Sequence, residues 1–446
     1  AIIKCARDKV MAASDFQTIL DTNGYVGKPL TSGAFVYRVL YRTERGDTAN
    51  SPGYSSAIAY VPIVPRNAQL PAVVASHGSR GQAAHCAPSL DDPAASYVEP
   101  DFQDQVYPLI GSGYAVLAPD LAGYSNYGAA GNPPSGYAAA ADVGKSTLDG
   151  ARALRNMIPS MLSSKTVITG HSQGGHTALS ALAMSNDYGA DQNVSAVMLY
   201  APLWLNEAAW GAAVFEATTF PLSGTSNFVD AVSLWYHYSH AELLQGAGHG
   251  LDIIQPAKQA VVKSFFDNDC WQANYPDLGD AGNTLKDFYT SDFASAIALP
   301  AALGTACAAV DAGVPDGSTD GGAADAGPSL CQRWTAIYAT DRPHITGAAA
   351  AVPILILYGG QDTTIPAPQE MCAIDRLHTD GTQLTVCVDP TKDHSKVLHG
   401  LSSYANDWIA SKVLGEAAPT ACASSETALV NDAGVQIKCG TPPPND

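Results

Sequence analysis

Long apolar runs are missing from this chain of 446 residues. No uninterrupted stretch approaches the roughly 18 residues that a bilayer-spanning helix needs, so no integral membrane segment is expected. Cations are scarce: Lys and Arg total 23 against 42 Asp and Glu, a formal charge of −19. Phosphate backbones and anionic lipid surfaces are held by clustered cations, so nucleic acid is excluded as a partner. The cysteines show no CxxC pair and no His/Cys spacing of the zinc-binding kind, so neither a metal nor any other cofactor is expected. An opening Met and a charged-then-apolar leader are also lacking, as in a chain whose signal peptide has been removed.

What is present describes a large globular protein. Hydrophobic residues make up 46%, and the length exceeds the roughly 250–300 residues at which one core stops growing. One catalytic domain with a substantial insertion, or two domains, is expected. The nine cysteines are scattered along the chain, which favours disulfides and an oxidising compartment. A secreted or extracellular protein (or one of the periplasm or cell surface) is the expectation, with one thiol left over.

Eight short segments rich in Val, Ile, Leu and Tyr read as strands: Tyr37–Arg45, Ser55–Val64, Pro71–Ser76, Tyr114–Pro119, Thr166–Gly170, Ser195–Ala201, Pro353–Tyr358 and Gln383–Asp389. Near-continuous apolar runs such as Ile354-Leu355-Ile356-Leu357 suit strands covered on both faces. Helix-period stretches alternate with them, which predicts an α/β fold: a mostly parallel eight-stranded sheet flanked by helices. The alternation breaks over residues 203–351, where helical patterns occur at Asn206–Phe215, Phe228–Leu244, Ile254–Phe266 and Leu285–Ile297. So long a structureless loop does not suit a compact domain, and the stretch reads as a large inserted helical cap. The core is then 37–202 with 352–415, after a mainly helical lead-in over 1–36. Residues 416–446 form a tail with a hairpin around Asn431–Gly434. Five tryptophans fall in the cap (204, 210, 235, 271 and 334), and packing of cap helices accounts for most of them better than a substrate wall does. The Asp/Gly-rich loop 311–328 lacks calcium-loop spacing and reads as solvated chain; Cys307 and Cys331 flank it and could pin its base.

Gly170-His171-Ser172-Gln173-Gly174 follows an apolar strand and opens a helical stretch. A serine on so tight a turn needs small residues two before and two after it, and both are Gly. A serine hydroxyl is a weak nucleophile that needs a base, which in turn needs an orienting acid. Asp362, after the seventh strand, and His394, after the eighth, stand in the chain order and at the strand ends that this arrangement requires. His399 competes for the base but falls where a helix carries the chain away. Asp393 suits an ion pair or turn cap, His176 a supporting hydrogen bond, and His171 a solvent- or pocket-facing place. Acyl transfer also needs donors for the developing oxyanion. The N–H of Gln173 supplies one, and the N–H of Ser79, in the loop Ser76–Gly81 after the third strand, the other.

These residues define a serine hydrolase cleaving carboxylic esters of small-molecule or lipid type. A serine peptidase or acyltransferase would use the same triad. The chain resembles the secreted, capped lipase/esterase family of fungal lipase A at Cys86–Ser89, Gly113–Asp120, Leu148–Leu154, Gly170–His176, Gly359–Pro366, His394, Gly400 and Trp408. The resemblance covers roughly residues 80–420 and is weakest through the cap. It implies an inserted cap, a lipase or carboxylesterase activity, catalytic Ser172, Asp362 and His394, and the disulfides Cys86–Cys270 and Cys372–Cys422. His77-Gly78 is more like esterases than that lipase, and loop 311–328 is foreign to it.

Overall fold

The computed structural model describes residues 1–95, 97, 101–124, 134–203, 228–272, 275–303, 328–422, 424–430 and 434–439. The strands are β1 (Ile2–Met11), β2 (Ala34–Glu44), β3 (Pro52–Pro62), β4 (Leu70–Ser76), β5 (Ala115–Pro119), β6 (Leu162–His171), β7 (Val194–Tyr200), β8 (Pro353–Gly359) and β9 (Gln383–Asp389). They form one sheet in the order β1-β2-β3-β5-β4-β6-β7-β8-β9. Every pairing from β5 to β9 is parallel, and β1, β2 and β3 add an antiparallel flank. Among the described residues nine strands stand where eight were expected. The extra one is β1, which replaces the first third of the expected helical lead-in. Seven of its ten residues are exposed and only Met11 is buried, so no buried face imprints a pattern on them; pairing with β2 holds the strand in place.

The helices are α1 (Ala13–Asn23), α2 (Asp101–Gly111), α3 (Ala140–Met157), α4 (Gln173–Ala183), α5 (Phe228–Gln245), α6 (Gln259–Asn268), α7 (Pro276–Ala281), α8 (Ser291–Leu303), α9 (Leu330–Thr340), α10 (Ala367–Thr379) and α11 (Val397–Val413). Strands such as β4, buried along its whole length, and β8 carry Val, Ile and Leu on both faces because helices cover both. β4 sits between β5 and β6, so the chain steps from β4 to β5 on one side and then crosses back from β5 to β6 on the other, and such a switch point opens a crevice at the strands' carboxyl ends. Ser76 is level with Gly170, His171 with Tyr200, and Gly359 with Asp389. The loops after β4, β6, β8 and β9 therefore emerge along one edge.

Helices α5 to α9 lie between β7 and β8 and have a core of their own, with Trp235, Phe265, Tyr275, Phe293, Trp334 and Tyr338 at its centre. Trp235 and Trp334 are fully buried; Trp204, Trp210, Asn206–Phe215 and most of loop 311–328 lie outside the described residues. Asp341, after α9, joins this segment to the sheet domain. Its carboxylate accepts from Tyr236 Oη (2.6 Å), His240 Nε2 (2.7 Å) and the N–H of Ala140 (2.7 Å), and its carbonyl accepts from His176 Nε2 (2.8 Å).

Three disulfides are described: Cys86–Cys270, Cys372–Cys439 and Cys387–Cys422. The first is the one the resemblance implied; Cys372–Cys422 is not formed. The tail runs beside β9, where the N–H of Val388 donates to Ser424 O. That brings Cys422 against Cys387 of the strand, and Cys372 on α10 instead meets Cys439 further along. Cys331 is also disulfide-bonded, and Cys5, exposed on β1, is free. In the tail Val430 bridges Gln436 in antiparallel fashion.

Candidate active site

Residues Leu162–His171 end at a turn whose geometry only glycines permit. A Cβ on Gly170 would lie 1.8 Å from Gly174 O, and one on Gly174 would lie 2.1 Å from Ser76 O. Ser172 at the apex has φ 54° and ψ −120°, a conformation that costs a non-glycine residue about 1–3 kcal/mol and recurs at functional sites. The surroundings hold it there: its N–H donates to Tyr200 O (3.0 Å), and its carbonyl accepts from Gly175 and Leu203 N–H (both 2.8 Å).

Asp362 follows β8. Its Oδ1 accepts the N–H groups of Thr364 (2.9 Å) and Ile365 (2.8 Å), which turns Oδ2 toward His394 Nδ1 at 2.8 Å. The Asp362 side chain is fully buried and that of His394 is 14% exposed. The carbonyl of Lys392 accepts from Gln361 N–H (2.9 Å), which ties the loop after β9 to the loop after β8. His399 is taken elsewhere: its Nε2 lies 2.5 Å from Asp104 Oδ2 on α2. Asp393 bonds Lys396 through both its N–H (2.9 Å) and its Nζ (2.6 Å). His176 is buried in α4, and that burial pushes its imidazole below the usual range.

The loop after β4 packs against the elbow. A Cβ on Gly78 would lie 3.5 Å from Ser172 Cβ and 3.2 Å from His171 Nδ1. Ser79 Oγ is paired with Tyr137 Oη at 2.6 Å, so the hydroxyl is already engaged, whereas neither Ser79 N–H nor Gln173 N–H has an acceptor among the described residues. The same loop is clamped from the far side: Arg80 O accepts the N–H of Trp271 (3.0 Å), and Gly81 bridges Cys270.

Of the solvent- or pocket-facing place expected for His171, the solvent-facing one is ruled out, since the residue is 2% exposed. Its Nδ1 lies 3.2 Å from Asp101 Oδ2, and its Nε2 donates to the carbonyl of His394 at 3.0 Å. Asp101 Oδ1 accepts from Arg80 Nη2 (2.9 Å). Burial pushes the Asp101 carboxyl up, but the Arg80 guanidinium and the His171 ring together bring it well below the usual carboxylate range. Sequence reasoning missed Asp101, because a contact across 70 residues leaves no local signal. His85, Cys86 and Cys270 come together, but both sulfurs are consumed in the disulfide, which leaves no thiolate for a metal.

A parallel sheet with a switch point, a strained serine after its central strand and a His–Asp pair on later loops define a class of protein. The family model described as the alpha/beta hydrolase fold matches residues 84–398, and the chain belongs to that family. Similar solved structures include the rice cell wall degrading esterase LipA from Xanthomonas oryzae, at 15% identity and a TM-score of 0.63, covering 93% of this chain and 96% of that one. Candida antarctica lipase A in its closed state is another, at 16% identity and a TM-score of 0.60, covering 99% and 86%. At such identities the likeness is one of fold. A comparison with curated protein sequences finds no match.

Proposed function

We propose that the protein is a serine hydrolase that cleaves carboxylic esters, a lipase or carboxylesterase, through an acyl-enzyme on Ser172. The observation that carries this reading is the 2.8 Å bond from His394 Nδ1 to the buried Asp362, on a loop that His171, the elbow residue before Ser172, reaches at 3.0 Å. With Nδ1–H committed to Asp362, Nε2 is left with a lone pair to take the proton of Ser172 Oγ. Oγ then bonds the ester carbonyl carbon, and the oxygen that gains charge is stabilised by the N–H groups of Gln173 and Ser79. Collapse of this intermediate expels the alcohol, which receives the proton from His394. Water, deprotonated by the same ring, attacks the acyl-enzyme and releases the acid.

Helices α5 to α9 act in this reading as a cap over the site, part of an insertion spanning 203–351, with its edge at Trp271 against the loop that carries Ser79. Three disulfides and an acidic surface suit a secreted protein. The substrate is a small-molecule or lipid ester; among the described residues no helix is long and apolar enough to cross a membrane. The test is hydrolysis of a chain-length series of nitrophenyl esters beside an amide and a triglyceride emulsion. Ester cleavage is expected, and Ser172→Ala should lower turnover by about 10⁴-fold or more. Near-normal ester turnover by folded Ser172→Ala refutes the mechanism.

A further inference from the structure

We propose that His171 is a positioning residue for the base, bridging Asp101 to the main chain of His394 and so fixing where the His394 ring begins; the proposal rests on the serine-hydrolase reading above. Asp362 fixes only the rotation of that ring, through Nδ1. The backbone from which the ring projects belongs to the loop between β9 and α11. His171 Nε2 reaches that backbone at the carbonyl of His394 itself, 3.0 Å away, and the two rings lie 4.8 Å apart.

Both partners of His171 are acceptors, a carboxylate and a carbonyl, so the two bonds form together only when each ring nitrogen carries a proton. The second proton has a counter-charge in Asp101, itself held by Arg80 at 2.9 Å. Arg80 is the neighbour of Ser79. One chain of contacts thus runs from the proposed oxyanion loop through Asp101 and His171 to the base, and it crosses the elbow one residue before Ser172. Gly78 leaves the space for it: a Cβ there would lie 3.0 Å from Asp101 Oδ2. A side chain at position 78, one residue before Ser79, would crowd Asp101 and so disturb this chain of contacts.

A misplacement of about 1 Å in a catalytic group costs on the order of 10²-fold in rate. His171→Phe keeps a ring and removes both donors. On a nitrophenyl ester its kcat is expected to fall roughly 10- to 100-fold with KM little changed, because His171 is buried. His171→Gln places an amide N–H where Nε2 stood and should recover most of kcat. His171→Asn places its N–H where Nδ1 stood, keeps the Asp101 bond, loses the carbonyl of His394, and should stay low. In proton NMR the downfield N–H signal of the His394–Asp362 bond should broaden in the Phe and Asn variants and persist in Gln. A role confined to stability would lower the melting temperature and leave kcat per folded molecule intact, with no difference between Asn and Gln. That pattern overturns the proposal, as does full kcat in His171→Phe. Should His171→Phe fail to fold, the Asn and Gln pair decides alone. Ser172→Ala is assayed alongside: if it stays active the hydrolase mechanism itself fails, whereas a dead Ser172→Ala beside a fully active His171→Phe removes only the positioning role.

Discussion

The two histidines five residues apart on one loop and helix have different partners, and this separates their roles atom by atom. His394 Nδ1 meets Asp362 at 2.8 Å, and His399 Nε2 meets Asp104 at 2.5 Å. Under the proposed mechanism His394→Ala loses turnover on the order of 10⁴-fold, and adding it to Ser172→Ala makes nothing worse, since groups that act as a unit do not lose activity additively. His399→Ala keeps most activity but leaves the buried Asp104 with Asn23 and without its histidine, and costs about 1–3 kcal/mol of stability. Activity assays of the two single variants and the double, with a thermal melt for each, read both effects; a dead His399→Ala would move the base. At this scale the sequence was legible wherever a local constraint forced the residue type. The elbow glycines are such a case, because 1.8 Å to Gly174 O admits no side chain at position 170. That Asp362 and His394 would come together was legible from chain order and strand ends. The contact of His171 with Asp101 was not, because it depends on how α2 packs beside the elbow.

Helix α5 carries a carboxylic acid where its own packing resists charge. Asp230, in its first turn, is 4% exposed, and burial, with Asp287 nearby, pushes its carboxyl up to about 7. The folded value lies above the unfolded one, so the unfolded chain ionises first. The contribution to stability is complete below about pH 4 and is lost as pH rises through about 7. Asp230→Asn should therefore stabilise the protein at pH 8, by up to about 4 kcal/mol, and change little at pH 4. Melting temperatures at the two pH values test this, and an equal shift at both would show that charge is not the cause. Most elements were readable because burial writes a period into the chain: Pro353–Gly359 is an unbroken apolar run and became β8. β1 was unreadable for the converse reason. Ile-Ile-Lys-Cys-Ala-Arg-Asp-Lys-Val-Met has neither a buried face nor an alternation, and its main-chain bonds to β2 alone define it.

Across the whole molecule the covalent links follow the chain's path. Cys86–Cys270, Cys372–Cys439 and Cys387–Cys422 span 184, 67 and 35 residues, and each restrains the unfolded chain by about 2–4 kcal/mol. Peptide mapping without reduction should recover these three pairs, and alkylation of the native protein should tag Cys5. A Cys372–Cys422 peptide in their place would mean that the tail takes another course. The pairing was not legible beforehand, since scatter alone leaves many combinations open and the decisive fact is the run of the tail beside β9.

The two borders of the sheet are finished differently, and that bears on how the protein behaves when concentrated. A border strand with free N–H and C=O groups invites a neighbouring molecule to add on. Along β9 the tail occupies that place and is stitched down at Cys422. Along β1 the residues Lys4, Arg7, Asp8 and Lys9 interrupt any apolar run, with Asp8 drawn to Arg38 at 2.8 Å. Among the described residues neither border is a bare apolar ribbon of the kind on which fibrils begin, and loss of the stitched tail would uncover the β9 border.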